Sequence, residues 1–394
     1  MIREQPAYLL VKDRSNLSRI AAGLERETAI GVDLEADSMF HYPEKVCLIQ
    51  ISTPLQDILV DPLSLDDLSP LSPVFANPNI RKVFHGADYD IRSLYRDFDI
   101  EVNSLFDTQI AARFLGIRET SLARLLKERL GVLVEKKYQK RDWSERPLPA
   151  AMRAYAVQDT CHLLSLSRIL EKELRVKGRL FCVEEECELL SKVRPAPPNG
   201  NPLFLRFKGA SMLDPRCLAV LESILQLRDD TARRRDLPPF KILGNEPIME
   251  IVERRPVTEK DLGRIKGLSA RQVRMLGRSI LEKIDESTKL PENELPAFPG
   301  TTKERIGDTV SKKVKVLREW REQRAKEMDI DLSLVCTNAQ IQSLALAYPK
   351  SLKDLEGVDT IKAWQRRLFG SEICYHLKGI LKGDKSCITD QFSV

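Results

Sequence analysis

Histidine is scarce in this sequence, and its cysteines are scattered. Four His and eight Cys are spread over 394 residues, and no two cysteines form C-x-x-C. A zinc site held by imidazole or thiolate has little to build on. Isolated cysteines in a chain this long fit a reducing cytoplasm better than a disulfide scaffold. No run of 18 apolar residues occurs, and the start, MIREQPAYLLVKDRS, has no apolar core of a signal peptide. The expectation is therefore a soluble cytoplasmic protein with no membrane association. Excess charge is also small: 63 Lys and Arg stand against 58 Asp and Glu, a net of +5. Taken over the whole chain, that gives no strong nucleic-acid signal.

Position sharpens the charge signal. Residues 1–110 carry a net −8, residues 111–180 a net +8 and residues 201–394 a net +7. With 42% apolar and 31% charged residues the chain can bury two or three cores. Two proline-rich breaks, 193–202 (VRPAPPNGNP) and 291–302 (PENELPAFPGTT), read as linkers, because proline lacks a backbone donor and resists helix. They predict units at 1–192, 203–290 and 303–385.

The first unit opens with short β-branched runs at 29–33, 46–51, 57–60 and 82–84, and a helix is expected over 90–98. After about residue 105 the apolar spacing turns helical, and one long helix is expected from Pro149 through Leu163 to about Leu174. Strands followed by helices indicate an α/β class with a mixed sheet. The second and third units read as all helix and repeat each other. Pro256, Thr258, Lys260, Asp261, Leu262, Gly277 and Ile280 return as Pro349, Ser351, Lys353, Asp354, Leu355, Gly370 and Ile373, all at one offset of 93 residues. A single offset serving seven positions indicates a duplicated domain; the period is too long for a solenoid unit.

Three carboxylate patterns stand out. Asp33 and Glu35 end an apolar strand, and residues i and i+2 of a strand share a face. Two like charges side by side are unfavourable unless a cation joins them. Tyr155 and Asp159 are four apart on a helix, so phenol and carboxylate point the same way. The segment FHGADYD at 84–90 places Asp88 and Asp90 just after a strand; a helix N-terminus also favours Asp, which accounts for Asp88 better than for Asp90. His85 and His162 read as packing or hydrogen-bonding residues rather than ligands. Oxygen donors of this kind suit Mg²⁺ or Mn²⁺. Two such ions about 3.5–4 Å apart can stabilise the attacking and leaving oxygens of a phosphodiester. Beyond these lies KKYQKRDWSER, where Lys136, Lys137, Lys140, Arg141 and Arg146 interleave with Tyr138 and Trp143. Cations for phosphates and flat rings for bases recur in single-strand binding sites. The plain alternative is a solvated loop with Trp143 packed on the core. For Arg233, Arg234 and Arg235 a solvated helix face is the expectation, and Asp61, Asp66 and Asp67 are expected on the surface.

D-x-E on a strand, a later Asp after a His-bearing strand end, and Y-x3-D on a helix resemble the three motifs of the DEDDy 3′–5′ exonucleases. DTQIAARFLG from Asp107, QKRDWSERPL from Gln139 and the Tyr155-Ala156 pair narrow the resemblance to the ribonuclease D family over about residues 1–185. Leu227-Arg228-Asp229, Asp261-Leu262, Ile265, Gly267 and the run from Gly277 to Leu281 resemble the helicase-and-ribonuclease-D C-terminal (HRDC) domain, and the third unit is similar to a diverged second copy.

The resemblance implies a ribonuclease H-like catalytic fold followed by two all-α HRDC-like domains. It implies 3′–5′ hydrolysis of RNA by two divalent metal ions, with tRNA precursors bearing short 3′ tails as the substrate class and no obligate protein partner. By the same resemblance Asp33 bridges both ions, Glu35 and Asp159 hold the ion that carries the attacking water, and Asp90 supports the second, with Asp88 as its rival. Tyr155 orients or deprotonates the water. Lys136, Lys137, Lys140, Arg141 and Trp143 are the expected nucleic-acid contacts. A DNA exonuclease of the same superfamily and a non-catalytic RNA-binding adaptor are the alternatives; a pure binder has no need of five converging site groups.

Overall fold

The structure is a computed structural model that describes residues 8–135, 137–195, 200–299 and 308–379. Its first part is a mixed six-stranded sheet with helices on both faces. Strand β1 is Tyr8–Val11, and helix α1 (Arg14–Leu24) follows, capped by the Asp13 side chain accepting from the Asn16 N–H. Strands β2 (Ala29–Ala36), β3 (Val46–Ser52) and β4 (Asp57–Val60) follow as an antiparallel series. All seven residues of β3 and all four of β4 are buried, which requires cover on both faces. After the short helix α2 (Ser72–Ala76), β5 (Arg81–Phe84) runs parallel to β2 and leads into α3 (Asp88–Phe98). Strand β6 (Leu105–Asp107) completes the order β1-β4-β3-β2-β5-β6. Helices α4 (Thr108–Phe114), α5 (Leu122–Leu130), α6 (Ala150–Thr160), α7 (Leu163–Val176) and α8 (Leu180–Ser191) close the unit.

Three expectations change here. Strands β1 and β6 add to the four read from sequence: three residues of β6 run straight into α4 and look like the start of that helix. The single helix after Pro149 is two, broken at 161–162. There the chain crosses β2 closely: a Cβ at Gly31 would stand 3.0 Å from the Thr160 carbonyl oxygen and 3.2 Å from the Leu163 Cβ. Asp61, expected on the surface, is 1% exposed.

Beyond this unit the α-helices of the described residues fall into two copies that match element by element. The first copy has α9 (Pro215–Arg235), α10 (Pro239–Ile242), α11 (Asn245–Arg254), α12 (Glu259–Leu262) and α13 (Ala270–Thr288). The second has α14 (Asp308–Met328), α15 (Leu332–Val335), α16 (Asn338–Ala347), α17 (Leu352–Glu356) and α18 (Ala363–Gly379). Each helix of the second copy begins 93 residues after its counterpart. The offset extends to single bonds. Arg228 donates to the Leu243 carbonyl and Asn245 as Arg321 does to the Cys336 carbonyl and Asn338. Gln272 donates to the Ile242 carbonyl as Gln365 does to that of Val335. Asp236 and Asp329, and likewise Arg255 and Tyr348, take the same left-handed backbone turn.

Candidate active site

The site grows from strand alternation on β2. Asp33 lies opposite Gln50, and Glu35 opposite Leu48, so these four share the face that α6 covers. Helix α6 is fixed there by a hydrogen bond between the Ser52 and Thr160 hydroxyls at 2.6 Å and by Tyr155, Ala156 and Val157 packed with Leu48 and Leu59. This brings Asp159 down onto the strand. Carboxylate oxygens of Asp33, Glu35 and Asp159 all lie within 4.8 Å of one another.

Asp90 is placed by a different device. The Asp107 carboxylate accepts from the N–H groups of Gly86 and Ala87 at 3.0 and 2.8 Å and also caps α4. Gly86 supplies the left-handed turn (φ +75) that this clamp requires. Helix α3 then starts with Asp90 buried at 7% exposure beside the cluster, while Asp88 turns outward to Arg92 at 2.8 Å. Asp88 is therefore held away from the site that Asp90 faces. His85 bonds the Thr108 hydroxyl at 3.0 Å, a structural contact.

The electrostatics record the crowding. Burial, then the charges of Asp90, Asp159 and Glu35, push Asp33 well above the ordinary carboxylate range. Burial and then Asp159 and Asp90 do the same to Glu35. Burial raises Asp159 to about 7, and burial with Asp107 raises Asp90 to about 7. Burial and the surrounding carboxylates, Asp159 first, hold the Tyr155 phenol strongly toward its protonated form. Among the described residues no cationic side chain stands among the causes of these shifts. Such a set fits a hard divalent cation, which would supply the missing positive charge. Gln50, which sequence reasoning passed over, adds to the fit. Its amide is fully buried on this face with neither its oxygen nor its nitrogen hydrogen-bonded. A buried amide with no partner is costly, and a bound ion, its water or a substrate group would satisfy it. Only the cross-strand register with Asp33 identifies it.

The loop before α6 departs from expectation. Trp143 is 1% exposed and packs behind Tyr155, ring centroids 6.2 Å apart, while Tyr138 meets the same phenol edge-on at 5.7 Å. Trp143 thus has no free face for a base; its place is the wall that fixes Tyr155. Arg146 is likewise internal. It donates to both Asp61 oxygens, to the Cys47 carbonyl at 2.7 Å and to the Trp143 carbonyl at 2.8 Å, tying the loop to β3 and β4. Lys137, Lys140 and Arg141 remain exposed, and Lys136 lies outside the described residues.

A family model for a 3′–5′ exonuclease matches residues 8–175, and one for the HRDC domain matches 218–284 and again 312–375. Ribonuclease D of Haemophilus influenzae is 30% identical over 75% of each chain. The chain belongs to the ribonuclease D family. Ribonuclease D of Bartonella henselae is 27% identical over 94% of this chain and 90% of its own. The crystal structure of Escherichia coli RNase D superposes with a TM-score of 0.73 at 25% identity, covering 95% of this chain and 99% of that one. The catalytic core of RRP6 from Trypanosoma brucei gives 0.60 at 33% identity over 73% and 83%. The protein is thus a 3′–5′ exoribonuclease of ribonuclease D type, a phosphodiester hydrolase with a ribonuclease H-like domain and two HRDC domains. Among the described residues no helix is long and apolar enough to cross a membrane.

Proposed function

We propose that this ribonuclease D removes nucleotides one at a time from RNA 3′ ends at a two-metal site, releasing nucleoside 5′-monophosphates, and that its substrates are tRNA precursors with short 3′ tails. The observation that carries the mechanism is the meeting of Asp33, Glu35 and Asp159 within 4.8 Å of one another. Asp33 is central to the group and would touch both ions; Glu35 and Asp159 would hold one, and Asp90, set back on α3, would support the other. When bound, such ions activate water and neutralise phosphate charge.

The chain's own groups do the rest. Tyr155, packed between Tyr138 and Trp143, has a fixed ring, and without metal burial and the neighbouring carboxylates hold its phenol toward the protonated form; with the ions bound it would orient or deprotonate the attacking water. Its hydroxyl lies beside the Asp159 carboxylate, one turn along the same helix. Lys137, Lys140 and Arg141 stand exposed at the edge of the same loop and would meet phosphates arriving at the site. The domain units are taken as 1–192, 203–290 and 303–385.

Incubating the protein with 5′-labelled RNA, with EDTA, Mg²⁺ or Mn²⁺, tests this reading. The expected product is a ladder shortening stepwise from the 3′ end only when metal is present. A precursor tRNA with a 3′ tail should be trimmed faster than the same tail placed on an unrelated duplex. A ladder in EDTA, or internal cuts, would sink the mechanism; equal rates on both RNAs would remove the tRNA assignment alone.

A further inference from the structure

The two HRDC copies share a fold but not a use for one face. In the second copy, the end of α14 and the start of α18 lie on the exonuclease domain. Arg179 donates to the Met328 carbonyl at 2.8 Å, and Gly116 comes so close to the Asp329 carbonyl that a Cβ there would collide with it. Trp364 is buried edge-on to Phe114, centroids 5.2 Å apart, and its indole N–H donates to Glu186 at 2.8 Å. Glu185 accepts the N–H groups of Ala363 and Trp364, and Lys362 pairs with Glu186 at 2.6 Å.

Ninety-three residues earlier the same face is built of different side chains. Arg235 stands where Met328 does, Arg271 where Trp364 does and Phe240 where Ser333 does, while Arg274 matches Arg367. The shared Gln272 and Gln365 bonds show that both copies bring the start of the last helix against the short second one, so these residues form one face in the first copy too. There the face is open. Arg235, Arg271 and Arg274 are exposed, Phe240 is 50% exposed, and among the described residues none of the three arginines forms an ion pair. Among the described residues its contacts with the exonuclease domain lie at the rim. Asp236 accepts from the Tyr42 N–H at 3.0 Å and bonds His41, and Lys241 sits over Phe40 at 4.7 Å. Residues 40–42 belong to the loop that leaves β2, the strand carrying Asp33 and Glu35.

Three uncompensated guanidinium groups on one face call for a polyanion, and a flat ring among them gives bases a stacking surface. We propose that this face of the first HRDC copy grips the phosphate backbone of RNA upstream of the 3′ end being hydrolysed, while the equivalent face of the second copy is spent on holding the domains together. This rests on the chain acting on RNA.

The test is RNA binding by fluorescence anisotropy in EDTA, so that hydrolysis plays no part. The probe is a hairpin RNA with a single-stranded 3′ tail of about ten nucleotides. For the full-length Arg235→Ala/Arg271→Ala/Arg274→Ala variant, the plot of log K against log salt should flatten by about two, near 0.7 for each phosphate no longer neutralised. A control, Arg254→Ala/Arg264→Ala/Arg278→Ala, removes as many charges from arginines that already pair with Glu250, Asp261 and Glu282. It should flatten the plot by less than about half a unit. Arg271→Glu alone, at an exposed helical position, should weaken binding more than Arg271→Ala. An unchanged slope in the triple variant, equal flattening in the control, or no RNA binding by the parent protein overturns the proposal. If the arginine-dependent slope is present but metal brings no 3′ shortening, the face stands and the nuclease mechanism falls.

Discussion

The catalytic domain contains two kinds of buried or half-buried carboxylate. Asp61 is satisfied: Arg146 reaches both its oxygens, and the Leu63 N–H and the Ser64 hydroxyl complete its shell at 3.1 and 3.0 Å. Asp33, Glu35, Asp90 and Asp159 instead crowd one another, with no cationic partner among the described residues. The difference separates structure from chemistry. A buried charge that holds a loop in place brings its own partner, whereas one kept for catalysis leaves the partner to be supplied from outside. Asp61 therefore bears on the loop that walls in Tyr155, whereas the cluster is the proposed seat of the chemistry.

That contrast breaks most sharply at Asp33. Asp33→Asn should lower RNA hydrolysis by about 10³-fold or more, since the proposed mechanism makes Asp33 the ligand that both ions would share. RNA binding should persist. Metal-free unfolding should be no easier than in the parent protein, because a repelling charge is gone. Arg146→Ala should behave in the opposite way. Leaving Asp61 buried without its ion partner should cost about 3 kcal/mol in denaturant unfolding. Activity should fall only as far as the loop loosens, and lower temperature should restore part of it.

Metal and pH sharpen the comparison next. Without metal, the folded chain keeps protons on Asp90 and Asp159 up to about 7, whereas the ordinary value is 3.8. Unfolding then releases protons between these limits. The contribution of these groups to stability is full below the lower limit and is lost as pH rises through the upper one. Metal-free melting temperature should fall across that window. The difference between Mg²⁺ and EDTA should grow across it, since cations and protons compete for the same oxygens. A metal effect independent of pH would mean the ions bind elsewhere.

Tyr155→Phe keeps the packing against Trp143 and Tyr138 and removes only the hydroxyl. The expected loss is about 10- to 100-fold in kcat with KM little changed. A loss confined to KM would assign the phenol to substrate binding instead.

The smallest effect belongs to a third class of carboxylate, exposed and shared. Asp236 of the first HRDC copy bonds His41, whose other ring nitrogen reaches the Ser144 hydroxyl at 3.0 Å, with Asp142 at 3.6 Å. The Asp236 hydrogen bond raises His41 above its ordinary 6.5. Its contribution is full below 6.5 and is lost as pH rises through the raised value. His41→Gln should cost under about 1 kcal/mol, and only on the acid side of that titration.

Features set by local spacing were readable from the chain. Asp33 with Glu35, and Tyr155 with Asp159, follow from the two- and four-residue repeats of strand and helix. The 93-residue offset of the helical copies is visible in seven positions and continues in the structure into matching backbone turns and hydrogen bonds. What was not readable depends on groups far apart in sequence. Trp143 and Arg146 sit in a stretch whose composition looks like a solvated basic loop, yet the loop folds back on β3 and β4 and draws both inward. Asp61 looked like surface because its partner is 85 residues away. Gln50 carries no motif and gains meaning only from facing Asp33. The break between α6 and α7 comes from Gly31 on another strand.

Counting the ions tests the central claim most directly. Mn²⁺ titrated into the full-length protein near neutral pH, followed by calorimetry and by electron paramagnetic resonance, should show two ions per chain when a non-hydrolysable RNA end is present. Asp33→Asn should take one or none while still binding the RNA. Equal uptake by parent and variant, or no uptake by the parent at millimolar metal, would contradict the assignment of these carboxylates to a metal site.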